Sequence, residues 1–96
     1  SEGVPADISL VATSYGHALI AAGEQEHARQ IAVHVARWAD SDFDSAVLLL
    51  ALNRALGQRE QWQAYLDQAR ALAGERDIPA ALTELPAAQL ANSRLP

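Results

Sequence analysis

Ala21-Ala22-Gly23-Glu24-Gln25-Glu26 and, 34 residues further on, Ala55-Leu56-Gly57-Gln58-Arg59-Glu60 are the two stretches from which the architecture can be read. Each places an isolated glycine between two apolar-periodic segments of similar length. That is the pattern of one helix stopping, a tight turn, and a second helix starting. At the same lag Ala12 aligns with Ala46, Glu26 with Glu60 and Ala39 with Ala73. The apolar positions Ile31, Ala32 and Val35 align with Tyr65, Leu66 and Ala69. The matched helix limits carry more weight than the alanine matches, because alanine makes up about a fifth of the chain.

Working outward from these turns, apolar spacing predicts helices over 8–22, 24–39, 43–56 and 58–73, with a shorter fifth beginning at Pro79. Asp7 is the expected N-cap of the first helix, and Ile8, Val11, Ala12, Tyr15, Leu19 and Ala22 are its expected buried stripe. Leu10, His17 and Ile20 form a second, less apolar face beside it. In the second helix Ala28, Ile31, Ala32, Val35, Trp38 and Ala39 share one face. Asp40-Ser41-Asp42 caps a third helix that is apolar almost all round, so it must be covered on several sides. Trp62, Tyr65, Leu66, Ala69, Leu72 and Ala73 form the stripe of the fourth, and Gly74 ends it. Pro86 should break the fifth helix, leaving a frayed tail from Asn92. Val and Ile never alternate with polar residues over a strand length, so the expected fold class is all-α.

Composition removes several functions. Half of the 96 residues are hydrophobic and 20% are charged, which is globular usage, and the formal charge is −5. There is no lysine, and the seven arginines are scattered from Arg29 to Arg94, so no phosphate-tracking patch forms and nucleic acid is not an expected partner. Without cysteine there is no disulfide, thiolate metal site or thiol nucleophile. The longest apolar run, Ala46 to Leu52, is far short of the ~20 residues a membrane span needs, so direct membrane insertion is not expected. A chain that starts at Ser1 reads as a piece cut from a longer protein.

A 34-residue helix–turn–helix period resembles the tetratricopeptide repeat. In a first unit over about 9–42, Gly16 and Ala28 fall on the family's two small positions where paired helices touch. Tyr15, Leu19, Gly23, Ala32 and Val35 fall on its large apolar, turn and packing positions. A second unit over about 43–76 departs from the pattern: Leu50 and Trp62 stand at the small positions and Asn53 at an aromatic one. That implies either a wider splay or a local shift of register. Residues 77–96 would be a capping helix and tail. The resemblance implies a right-handed α-hairpin solenoid of about two repeats plus a cap, in which stacking buries what one repeat cannot.

It also implies a concave groove lined by Leu10, Thr13, His17 and Ile20 from the first unit and Asp44, Val47, Leu48, Ala51 and Arg54 from the second. The lysine-free groove does not suit an acidic peptide. The expected occupant is an amphipathic helix or extended apolar segment of another protein. The expected function is a non-catalytic scaffold or adaptor, in a bacterial envelope, secretion, pilus or polysaccharide-export assembly. Two alternatives are a small type III secretion-like chaperone cradling an apolar subunit and a self-association domain, for which the third helix would supply the surface.

No cofactor, metal or catalytic residue is expected. Asp40, Asp42 and Asp44 imitate the start of a calcium loop, but Ser45 and Ala51 stand where it needs Gly and Glu. His27 and His34 lie two turns apart with no third ligand converging. Ser14 and His17 can meet across one turn, yet a helix interior supplies no oxyanion hole. Trp62 reads as core, and Trp38, at the end of its stripe, as partly exposed.

Overall fold

A computed structural model of the chain describes residues 6–86. The elements are α1 (Ala6–Ala21), α2 (Gln25–Val35), α3 (Phe43–Ala55) and α4 (Arg59–Ala73), with 3-10 turns at Ala36–Trp38 and Ala80–Thr83. Among the described residues there is no strand, and the fold is all-α. α1 is already helical at Ala6, so Asp7 lies inside the helix rather than ahead of it as a cap. The α-helical part of the second helix stops at Val35 and its last turn tightens to 3-10. Among the described residues no fifth α-helix follows Pro79. The chain makes one four-residue 3-10 turn, and Glu84 is extended two residues before Pro86. The rest of the expected cap, and the tail from Asn92, lie outside the described residues.

The two bends are the same structure built twice. Gly23 N–H donates to the Ile20 carbonyl (3.1 Å) and Glu24 N–H to Leu19 (2.8 Å). Thirty-four residues later, Gly57 N–H donates to Arg54 (3.1 Å) and Gln58 N–H to Asn53 (2.9 Å). This pair of bonds is the Schellman ending, which satisfies the last carbonyls of a helix and requires a left-handed residue just past it. Gly23 and Gly57 supply it with φ of 80° and 72°. The following helices also begin alike, with Ala28 N–H bonded to Glu24 and Trp62 N–H to Gln58. The second bend therefore keeps its 34-residue register despite the large residues around it.

α3 is the central element, packed on α1, α2, α4 and the final 3-10 turn. Every residue from Phe43 to Asn53 except Asp44 is buried, as an all-round apolar helix requires. One buried cluster joins Leu19, Ala28 and Ala32 of the first hairpin to Ala46, Val47, Leu49 and Leu52 of α3. It continues to Ala69 and Ala73 of α4.

The orientation of α1 differs from the expected stripe by about one residue. Its inner face carries Ser9, Thr13, Gly16 and Leu19, whereas Val11, Tyr15 and Ala22 are exposed. Gly16 explains the close approach. A Cβ built there would lie 2.8 Å from both methyl carbons of Leu48, so the glycine makes room for α3 and not only for its hairpin partner. The buried hydroxyls are satisfied. Thr13 Oγ1 donates to the Ser9 carbonyl (2.8 Å), while Ser9 Oγ donates to Asp42 Oδ2 (2.7 Å).

Candidate interaction face

Asp42 ties the leading helix to the N-terminus of α3. Its Oδ2 accepts from the Ser45 amide (3.0 Å), the Ser45 hydroxyl (2.6 Å) and the Ser9 hydroxyl. Burial acts to raise its pKa, but those bonds, with the charge of Arg76, outweigh it and hold the carboxyl below its ordinary value. Arg76 in turn donates to the Ala73 and Leu72 carbonyls at the end of α4 and lies over the Phe43 ring at 4.5 Å. The acidic cluster that resembled a calcium loop thus contains a helix cap.

With α1 fixed in this rotation, its opposite face is left in solvent. Leu10, Val11 and Tyr15 are 57%, 68% and 56% exposed, and Ser14 and Ala18 are exposed beside them. Val11, Ser14, Tyr15 and Ala18 follow the i, i+3, i+4, i+7 spacing of one helix side, with Leu10 at its edge. The 34-residue lag shows what such a side does when something covers it. Val11, Ser14, Tyr15 and Ala18 correspond to Ser45, Leu48, Leu49 and Leu52 on α3, all four of them buried. There the preceding hairpin supplies the cover, with Gly16 against Leu48 and Ala28 and Ala32 in the cluster with Leu49 and Leu52. Among the described residues no element performs that service for α1. Val33 on α2 is also exposed, but its lag partner Asp67 is exposed too, so it has the standing of a solitary surface apolar residue.

The other end of the stack is closed. Ile78, Leu82 and Leu85 pack against Leu50, Trp62 and Leu66. Trp62 Nε1 donates to the Leu82 carbonyl (2.9 Å), and Arg54 Nε to the Glu84 carbonyl (2.9 Å). Leu50, Trp62 and Leu66 correspond to Gly16, Ala28 and Ala32. Small residues on the first hairpin admit a whole helix, whereas large ones on the second fill that depth themselves and leave room only for a thin strap. This accounts for the departure of the second unit from small residues.

The nine residues expected to line a groove are divided by this packing. Thr13, Val47, Leu48 and Ala51 are buried. They belong to the interior because α1 presses directly onto α3. Leu10 and Asp44 are exposed, and His17, Ile20 and Arg54 are half-buried. Burial lowers the pKa of His17, and the nearby Asp44 charge partly opposes this. Ser14 lies on the exposed face of α1. His27 is exposed with Nδ1 3.1 Å from Glu24 Oε1, and His34 is exposed one helical stretch away. Among the described residues, no three acidic or histidine side chains gather where they could hold a metal ion. No described helix is long and apolar enough to cross a membrane. Trp62 is core, and Trp38 is half-buried under the Arg37 guanidinium, 5.0 Å from its ring centroid.

The signal for the exposed face was present in the sequence. Ser9, Thr13 and Gly16 are small enough for close packing, and Val11 and Tyr15 share the other side. Which of the two sides meets α3 could not be read from periodicity. In class, the chain is an all-helical pair of tandem hairpins, strapped at its trailing end and apolar on its leading helix. No family model, curated protein or solved structure matches it.

Proposed function

We propose that this chain is a non-catalytic protein–protein interaction module built on tetratricopeptide-like hairpins, and that it docks through the outer face of α1. The observation carrying this reading is the exposed, uncharged surface of Val11 and Tyr15, whose counterparts Ser45 and Leu49 on α3 are sealed in the core, with exposed Leu10 beside them. Contiguous apolar surface of this kind on a small protein marks an interaction site. The doubled Schellman bends support the repeat reading. A lysine-free, alanine-rich and arginine-bearing composition supports a bacterial assembly as its setting. The chaperone alternative draws no support from Val47, Leu48 and Ala51, which are core residues rather than the walls of a cradle.

A photo-crosslinking residue at Val11 tests the reading in cells that produce the protein. We expect covalent adducts of defined mass at Val11, and none from the same probe at Gln63 on the exposed side of α4. Equal labelling at both positions, or none at Val11, would refute it.

A further inference from the structure

We propose that the outer face of α1 is a self-recognition surface, on which a second copy of the chain lays its own α1 antiparallel across a two-fold axis. This rests on the reading of that face as a docking surface and names its occupant.

Three observations select a second copy. The first is charge. The chain carries −5, so most approaches of two copies are opposed, but between Asp7 and Glu24 no residue bears a formal charge. The contact residues of α1, from Leu10 to Ala18, lie inside that uncharged stretch, so two copies meet there with the least repulsion. What remains is confined to Asp7 of one copy near Glu24 of the other, at the ends of the pair. The second is closure. Within the chain, one hairpin is covered by presenting its trailing side to the next. The trailing side of the second hairpin is already filled by Ile78, Leu82 and Leu85, anchored through Trp62 and Arg54. Head-to-tail stacking of copies is thereby blocked, so a second copy reaches the leading face with its own leading face.

The third is shape. A two-fold axis between Ser14 and Tyr15 sets Tyr15 against Ser14 of the second copy and Val11 against Ala18 of the second copy. Each large side chain then meets a small one, and a single patch serves both sides of an isologous contact. Leu10 flanks the pair. Ridges of this spacing are what packed helices interdigitate.

Sedimentation velocity on the full chain, over a range of concentrations, measures the association directly. We expect a reversible monomer–dimer equilibrium, weakened about tenfold or more by Tyr15→Glu with unchanged helical circular dichroism. Because the chain has no cysteine, geometry can be read by oxidation of single-cysteine variants. A mixture of Val11→Cys and Ala18→Cys should crosslink faster than either variant alone. Faster self-crosslinking of Val11→Cys would indicate a parallel pair and overturn the antiparallel assignment. A monomer at every concentration overturns self-recognition itself. If Val11 then still captures a different protein in cells, only the identity of the occupant has failed; if it captures nothing, the docking reading has failed with it.

Discussion

At the scale of single residues, Asp42 does the most with one oxygen. It caps α3, satisfies two serine hydroxyls and pins α1 through Ser9. Losing a helix cap and orphaning buried hydroxyls costs about 1–3 kcal/mol, so Asp42→Ala should lower the melting temperature by roughly 5–20 °C at neutral pH. The dependence on pH has a definite sign. A carboxyl held below its ordinary value contributes its full stabilisation above the unfolded value near ~3.9, and loses it as pH falls through the lower folded value. Thermal melts should therefore show the gap between wild type and Asp42→Ala narrowing from pH 5 down to about pH 2. A constant gap would mean that ionisation of this carboxyl does not matter to the fold. The Asp-rich turn marked a cap in the sequence, but its third partner, Ser9, is 33 residues away and belongs to no local pattern.

At the scale of elements, the two glycine bends were legible because their requirement is local. A Schellman ending needs positive φ whatever surrounds it, and an isolated glycine after an apolar-periodic run announces one. A Cβ at Gly23 would meet nothing within 4 Å, so the cost of Gly23→Ala there is that of the backbone alone. Chemical denaturation should report a loss of about 1–2 kcal/mol for it, and Gly57→Ala should also destabilise. If Gly23→Ala were stabilising, that residue would not be held left-handed. Gly16 obeys a different rule, since its φ is not positive and its constraint is the Leu48 side chain. Its small size was visible in the sequence. That α3 would be the helix pressed against it was not, because Ala28 of the hairpin partner satisfies the same spacing.

At the scale of the whole molecule, the stack is asymmetric. Its trailing end is sealed by a strap of 3-10 turn and extended chain, whereas among the described residues no element covers the outer face of α1 at its leading end. The strap replaces an expected α-helix because Leu50, Trp62 and Leu66 already occupy the depth that a helix would need. Leu82→Asp should place a charge against this cluster, cost about 1–3 kcal/mol and red-shift tryptophan emission, measured in a Trp38→Phe background so that Trp62 alone reports. Unchanged emission would show that the strap does not shield Trp62.

The sequence by itself determined the all-helical class, the glycine ends at which α1, α3 and α4 stop, and the central position of α3. These follow from side-chain period and from the backbone freedom of glycine, both of which act over a few residues. Tertiary structure alone decided which side of α1 faces inward and what closes the second hairpin. α1 has small residues on one side and apolar ones on the other, and either side could be buried in isolation. The choice is visible only in partners more than 30 residues away: Gly16 admits the Leu48 side chain and Ser9 donates to Asp42, while Val11 and Tyr15 stay exposed.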